Sequence, residues 1–289
     1  IAFPKVYLAT DQDCEFLRDV SVAYTDFKDQ LLPVVRLVGN SELSRERALE
    51  LPNKASDILS SEELFSLAIA FPKVYLATDQ DCEFFRKMLA SYQRNLQNIR
   101  EVTQSLADNH ISRELALVFP QQATALMDDK MRETRLFVFQ HGDLLLKDTS
   151  DIRFMNNLVG EFGKKSDQLI RGYQECLVSG VISTADKELV LEFARQFRVI
   201  SPTTLQGYKE AKEAGQEKVY IAQLQALAER MTGSGVITDE ERKGPYYNDL
   251  LRHVYSNNSG HWANFESNNR CPDRSSDLTK FKIKPRYEI

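Results

Sequence analysis

His141 and Asp143, two positions apart in the stretch QHGD, form the best candidate for a catalytic pair. A turn at this point would expose both side chains to a cleft, and a carboxylate near an imidazole can orient the ring as a general base. The other histidines, His110, His253 and His261, have no HxxxH or HExxH spacing, so none indicates a metal site. His141 and Asp143 are therefore the catalytic candidates, and a solvated turn is the alternative interpretation.

Motifs of the common hydrolases and nucleotide-binding proteins are missing from the sequence, which has no GxSxG, no SxxK and no GxxxxGK[ST]. Paired acids such as Asp128 and Asp129 could act as acid and base, but their position at a helix start favours solvated charge. The missing motifs favour a non-catalytic protein that binds other proteins, such as an adaptor, an assembly component or a secreted effector. The alternative is an enzyme whose site is assembled from scattered residues of a helical bundle.

The composition predicts a globular protein with a substantial core. The chain has 289 residues, of which 42% are hydrophobic, and a net charge of −5. Its 37 basic residues are dispersed among 42 acidic ones, so no basic field indicates nucleic acid as a partner. No apolar run approaches the length of a membrane span. The expected partners are therefore other proteins, with self-association through helix faces included.

The four cysteines, Cys14, Cys82, Cys176 and Cys271, have no CxxC spacing. This usage predicts reduced thiols rather than a disulfide framework or a zinc site, and no cofactor is expected. Reduced thiols make the cytoplasm the default location. The chain begins at Ile1 without methionine, which leaves a cleaved export signal open.

Apolar residues at helical spacing predict an all-α fold, an elongated bundle of eight or nine helices. Phe85 and Leu89, for example, recur at a spacing of four on one face. Three such stripes are long, and we expect one continuous amphipathic helix over each of 79–107, 151–177 and 203–231. Bundles of this kind present long helix faces to partners.

Prolines are expected to end several shorter helices, because a proline in a helix interior removes a hydrogen bond and clashes with the preceding turn. Pro33 should stop the helix that starts at Thr10, and Pro52 should close a helix capped by Ser41. Pro120 should end a third, and Pro72 should follow a fourth. Helix boundaries are thus predicted largely from proline.

One 16-residue stretch, IAFPKVYLATDQDCEF, occurs twice, at 1–16 and at 69–84. In both copies a threonine, Thr10 or Thr78, stands where a helix N-cap would stand. Solenoid repeats usually preserve a packing pattern rather than letters, and usually need at least three copies. We therefore expect a recent or engineered duplication, or an error of sequence assignment, rather than a repeat architecture.

The chain divides by pattern into an N-terminal helical region at 1–148, a helical bundle at 149–255 and an extended tail at 256–289. Within the first region, residues 136–147 fit either a helix end or a two-residue hairpin, and the helix is favoured.

The tail is rich in asparagine and serine and holds Trp262, the only tryptophan. Phe281, Ile283 and Tyr287 alternate there with basic residues, a pattern typical of an edge strand or a docked peptide. We expect this arm at 256–289 to bind a partner through these four side chains. A partly disordered terminus is the alternative.

The stretch GVITDEE resembles the second half of an EF-hand calcium loop, with Gly235 and Glu241 at the sixth and twelfth places. The first, third and fifth places supply no carboxylate, so calcium binding is not expected. Thr238 with Glu241 forms the sequence of a capping box, which accounts for the same residues as a helix start.

Overall fold

The computed structural model describes residues 10–197, 199–232, 237–244, 246–247 and 250. These residues form α-helices and short 3-10 helices, and no β-strand occurs among them. The prediction of an all-α fold is confirmed.

The helices are short and closely spaced along the chain. The α-helices are α1 (Asp11–Ala23), α2 (Lys28–Gly39), α3 (Arg45–Lys54), α4 (Ser56–Leu59), α5 (Glu62–Ala70), α6 (Pro72–Tyr75), α7 (Asp79–Ser91), α8 (Leu96–Ala107), α9 (Arg113–Gln122), α10 (Arg132–Gln140), α11 (Gly142–Leu145), α12 (Thr149–Phe162), α13 (Ser166–Val178), α14 (Lys187–Phe197), α15 (Pro202–Glu213), α16 (Glu217–Thr232) and α17 (Asp239–Lys243). Contacts divide the chain into two compact units, Ile1–Lys164 and Lys165–Ile289. The division into three regions made from the sequence stays a prediction.

In the first unit, capped helix starts recur every 34 residues. The side chains of Thr10, Ser44, Thr78 and Ser112 each accept a hydrogen bond from the backbone N–H three residues later. Each cap opens a pair of longer helices: α1 with α2, α3 with α5, α7 with α8, and α9 with α10. The unit is therefore built from successive helical hairpins of one kind.

Corresponding helices of successive hairpins pack on each other. Among the first helices α1 packs on α3 and α7 on α9, and among the second helices α2 packs on α5, α5 on α8 and α8 on α10. The first helix of the fourth hairpin, α9, also packs on α12. Fully buried apolar side chains such as Ile58, Phe85 and Phe119 fill the space between them. Each such burial is worth about 1.5–3 kcal/mol, so the stacking holds the unit together.

An ion pair is also buried between two second helices. Arg135 of α10, 1% exposed, donates to the carboxylate of Glu101 on α8 at 2.8 and 3.0 Å, and to Asn98 at 3.0 Å. Arg135 also donates to the carbonyl of Leu126 at 2.9 Å. The charges therefore have partners, as burial requires.

A recurring tyrosine contact shows that the repetition extends beyond the identical letters. The hydroxyl of Tyr24 donates to the carbonyl of Ala48 at 3.0 Å, and that of Tyr92 donates to the carbonyl of Ala116 at 2.9 Å. The two contacts lie 68 residues apart, as the two copies do. The structure thus differs from the expectation that repeat architecture plays little part. The two tyrosine contacts are equivalent although most of the residues around them differ, whereas the 16 residues at 69–84 are identical to those at 1–16.

The same tyrosines explain why two prolines do not end their helices. Pro52 lies inside α3 and Pro120 inside α9, and neither has the N–H that would bond to the carbonyl four residues earlier. Those carbonyls belong to Ala48 and Ala116, the two that accept the tyrosine hydroxyls. A side chain from the preceding hairpin therefore replaces the missing backbone donor, and the predictions that Pro52 and Pro120 end helices were wrong.

Two further expectations about helix ends also need correction. Pro33 lies inside α2, and the cap of α3 is Ser44 rather than Ser41. Ser41 instead has a φ of 59° at the end of α2. Pro72, in contrast, follows the end of α5 as predicted and opens the short helix α6.

The expected continuous helix at 79–107 is not confirmed, because it consists of α7 and α8. Gln93 and Arg94 between them have φ values of 49° and 59°. These left-handed conformations end the helical hydrogen-bond ladder, and the Arg94 N–H bonds instead to the carbonyl of Leu89 at 2.8 Å. The apolar stripe runs across the break because both halves face the same core.

The other two long helices, at 151–177 and 203–231, are also not confirmed as continuous. The first is interrupted at Gly163, with a φ of 54°, and the second at Gly215, with a φ of 68°. Glycine adopts these conformations without steric cost, so the α-helix is interrupted at both positions.

Helices α13 to α17 belong to the second unit. Within it α13 packs on α15, and α14 packs on α15 and α16. Gly172 allows a close approach, because a Cβ there would lie 2.0 Å from the carbonyl oxygen of Ile200. The capping box of Thr238 with Glu241 is confirmed, as is the helical interpretation of residues 136–147.

Candidate protein-binding edge

The N-terminal turns of α1, α3, α7 and α9 adjoin one another along one side of the first unit, which we call the cap edge. Three ion pairs join these turns: Arg45 with Asp13, Arg47 with Asp79 at 2.6 Å, and Arg113 with Asp81 at 2.6 Å. Each pair links one hairpin to the next. The arrangement follows from the repeat, because stacked helices of equal register place their first turns side by side.

Arg47 of the cap edge donates hydrogen bonds to four residues. Its side chain is only 6% exposed, and its guanidinium donates to the carbonyl of Leu76 at 2.8 Å and to Asp79 at 2.6 Å. It also donates to Glu50 at 3.2 Å and to the Sγ of Cys82 at 3.1 Å. One arginine therefore fastens the second hairpin to the third.

Arg113 and Arg45 make the same contact in two places, 68 residues apart. Arg113 pairs with Asp81 and lies 4.9 Å from the ring centroid of Phe84. Arg45 pairs with Asp13 and lies 5.3 Å from the corresponding ring. A cation over an aromatic face adds to the ion pair, so these arginines are held in place while their side chains stay about 40% exposed, at 42% and 39%.

Two shallow clefts open at the cap edge where α3 approaches α7. Their volumes are about 480 and 570 Å³, and Ser44 and Ala77 line both. Arg45 lines the first, while Arg47 and Asp79 line the second. The clefts therefore form one continuous strip of mixed charge with a small residue at its centre.

The titration behaviour of these groups fixes their charges near neutral pH. Hydrogen bonds from Thr10 and then Arg45 lower the pKa of Asp13, and hydrogen bonds from Arg47 and then Lys54 lower the pKa of Asp79. Both carboxylates are thus ionised at pH 7. These residues carry fixed charge and do not exchange protons near neutrality, which suits electrostatic recognition better than acid–base catalysis.

The thiol of Cys82 is also held in one state. Burial raises the pKa of Cys82, so the thiol is protonated at neutral pH and is a poor nucleophile.

The catalytic candidates lie at and just after the end of α10. The ring of His141 packs against Phe137, with ring centroids 4.4 Å apart. The exposed carboxylate of Asp143 lies 3.7 Å from Nδ1 of His110, so the histidine beside Asp143 is one that the sequence did not associate with it. A catalytic role for His141 and Asp143 stays a prediction.

The predicted binding residues of the tail, Trp262, Phe281, Ile283 and Tyr287, lie outside the described residues. Their role stays a prediction.

The half-loop that resembles a calcium site uses its acidic residue to start a helix. The Glu241 carboxylate accepts hydrogen bonds from the N–H of Thr238 at 3.0 Å and from its hydroxyl at 3.1 Å, and it pairs with Arg230. The hydrogen bond from the Thr238 N–H is the main cause of the lowered pKa of Glu241. Gly235 lies outside the described residues.

Neither a metal cluster nor a membrane span is found in the part of the chain that the structure describes. No three His, Cys, Asp or Glu side chains there are grouped so as to hold a metal ion. No helix there is both long enough and apolar enough to cross a bilayer.

Sequence reasoning missed Arg45, Arg47 and Arg113, the cations of the cap edge. For Arg45 and Arg113 a signal was present, because the letters SRE occur at 44–46 and again at 112–114, with the same separation as the two identical segments. This short repeat lies outside the two identical segments, so it becomes visible only when the sequence is aligned with itself at an offset of 68 residues.

Comparison with protein-family models, with curated proteins and with solved structures found no match for this chain.

Proposed function

We propose that this chain is a non-catalytic protein that binds other proteins, an adaptor, assembly component or secreted effector. The main binding surface is the cap edge, and the C-terminal arm at 256–289 is a second binding element. The observation that carries the proposal is the strip of two clefts at the cap edge, lined by charges that stay ionised near neutral pH.

The geometry of the strip suits an extended protein segment. A shallow cleft buries too little of a small molecule for tight binding, whereas a peptide can lie along both clefts and over Ala77 between them. Tandem hairpins offer such extended surfaces because each repeat presents the same edge.

The charges of the strip indicate a partner that carries both signs. Arg45 is 39% exposed, while Glu50 and Asp79 are each 56% exposed. A segment with an acidic group near Arg45 and a basic group near Glu50 and Asp79 would meet both. Exposed apolar side chains such as Val22, 70% exposed, and Leu32, 49% exposed, support further contacts through helix faces, self-association included.

Filling the strip tests the proposal. Ala77 is exposed and lines both clefts, so Ala77→Trp should block them without disturbing the core. Ala107→Trp, at the exposed end of α8, is the matched control. Partners recovered by the full chain from its source cells would be identified and quantified by mass spectrometry.

We expect Ala77→Trp to lose partners that the wild type and Ala107→Trp both retain. Equal recovery by all three proteins, or no specific partner of the wild type, would contradict binding at the cap edge. Deletion of 256–289 tests the arm in the same assay, and unchanged recovery would remove the arm from the proposal.

A further inference from the structure

A pocket of the second unit lies between α16 and the segment that holds α17 and Tyr246. Its volume is about 290 Å³. Two tyrosine rings and two leucine side chains line it: Tyr220, Tyr246, Leu224 and Leu227. Arg230 and Glu241 bring charge to the same lining. The pocket is therefore a candidate binding site separate from the cap edge.

Contacts within the second unit hold the two tyrosine rings in place. The Tyr220 hydroxyl donates to the carbonyl of Thr204 at 2.8 Å. Both hydroxyls lie next to Gly207, where a Cβ would be 2.5 Å from the Tyr220 oxygen and 2.8 Å from the Tyr246 oxygen. The two rings meet edge to face, with centroids 5.7 Å apart. The walls of the pocket are thus formed in advance, which lowers the cost of binding.

The volume of the pocket suits one large side chain. Pockets for small-molecule ligands usually measure roughly 300–1,000 Å³, and this pocket lies just below that range. An aromatic side chain brings a large apolar ring with few rotatable bonds and packs well against other rings. The tyrosine walls therefore favour an aromatic residue of a polypeptide over a free small molecule.

The charged residues of the pocket favour tryptophan among the aromatic residues. Arg230 pairs with Glu241, and their side chains are 41% and 29% exposed. A guanidinium is attracted to the face of an aromatic ring, and to that of tryptophan most strongly. An ionised carboxylate has about four acceptor sites, so Glu241 can accept an indole N–H beside its bonds to Thr238 and Arg230.

The chain itself carries a tryptophan within reach of the pocket. Trp262, the only one in the sequence, lies outside the described residues and follows Tyr246 by 16 positions. Sixteen residues span roughly 20–24 Å under random-coil statistics, so the intervening segment is long enough to fold back. A tether of this length also gives the indole a high effective concentration at the pocket, which favours it over a free competitor.

We propose that Trp262 of the arm at 256–289 binds in this pocket of the same chain. Its ring packs against Tyr220 and Tyr246, and its N–H donates to the Glu241 carboxylate. The docking itself does not depend on the proposed function. Its consequence does, because a partner that binds the arm through Trp262 would first have to displace it from the pocket.

Fluorescence of the full chain tests the docking, because Trp262 is the only tryptophan that emits. The emission maximum and the quenching by acrylamide would be compared with those of the free peptide 256–268, SNNSGHWANFESN. Ala226→Arg places a long charged side chain in the pocket from an exposed helix position. Ala222→Arg is the matched control, at an exposed alanine one turn earlier on α16. Circular dichroism would verify that both variants are folded.

We expect the wild type to emit at shorter wavelength than the peptide and to be quenched several-fold less. Ala226→Arg should move both values towards those of the peptide, while Ala222→Arg should leave them at the wild-type values. Equal quenching of wild type and peptide would overturn the proposal. A protected Trp262 that Ala226→Arg leaves protected would overturn it as well, because the indole would then be buried elsewhere.

Sedimentation and fluorescence at several protein concentrations cover a second copy as the source of the indole. Protection that appears only with a dimer would overturn the assignment to the same chain. An exposed Trp262 with Ala77-dependent partner binding intact would refute the docking alone. A protected Trp262 in a chain without any specific partner would refute the proposed function and keep the docking.

Discussion

Residues 10–16 and 78–84 have the same letters, TDQDCEF, and both begin a helix with a threonine cap, yet their surroundings differ. Cys14 is exposed, and Cys82 is buried under Arg47 of the preceding hairpin. The local sequence therefore determines where the helix starts, whereas the neighbouring hairpin determines which of its faces is buried.

The largest expected difference between the two copies is at the position where their letters first differ. Phe85 is fully buried, so Phe85→Ala should lower the free energy of unfolding by about 3–5 kcal/mol. Leu17 is only half-buried, and Leu17→Ala should cost less than about 2 kcal/mol. Urea unfolding of the two variants measures both values, and equal losses would mean that α1 and α7 are covered to the same extent.

The second prediction concerns the tyrosine contact, which joins the first hairpin to the second and, in the same way, the third hairpin to the fourth. Tyr24→Phe and Tyr92→Phe each leave a buried carbonyl without its donor, so each should cost about 1–3 kcal/mol. The two losses should agree, because the contacts are alike. Urea unfolding of both variants measures the two losses of stability. Clearly unequal losses would show that the two tyrosine contacts are not equivalent.

Proline replacement sharpens that test. Pro52→Ala provides an N–H that can bond to the carbonyl of Ala48. The cost of Tyr24→Phe should therefore fall in a Pro52→Ala background when a double-mutant cycle is measured by urea unfolding. An unchanged cost would show that the hydroxyl does not replace the missing backbone donor.

The smallest expected effect is a pH dependence of the ion pair between Arg86 of α7 and Asp57 of the preceding hairpin. A hydrogen bond from Arg86 lowers the pKa of Asp57 below 3.8, so this pair stabilises the fold above that pH and the contribution is lost as the pH falls through the lowered value. Asp57→Asn should thus destabilise the chain at pH 7 by less than about 1 kcal/mol, because solvent screens the pair, and by less still near pH 2.

Urea unfolding at both pH values measures the Asp57 effect. Asp19→Asn on the exposed side of α1 is the matched control for the substitution itself. An Asp57→Asn loss that is as large near pH 2 as at pH 7 would count against the ion pair.

Much of the fold was predictable from local sequence, since the caps at Thr10, Thr78 and Thr238 and the all-helical class depend on neighbouring residues alone. The break between α7 and α8 was not predictable, because Gln93 and Arg94 adopt left-handed conformations that usually need glycine.

Errors at the prolines and at the cap edge have a non-local cause. The donor that allows Pro52 inside a helix comes from Tyr24 in another hairpin. Arg47 likewise finds Asp79 and Cys82 only after the hairpins stack. A search for repeats beyond the identical letters would have brought these residues together.

Thiol labelling of the native chain tests the central claim most directly, because Cys14 and Cys82 have the same sequence neighbours but only Cys82 is buried. A brief pulse of maleimide followed by tryptic mapping separates the peptides of the two copies, which differ at Leu17 and Phe85. We predict rapid labelling at Cys14 and protection at Cys82 by roughly a hundredfold or more, lost in urea. Equal labelling of two native copies, or the finding of one copy alone, would contradict the stacked-hairpin account.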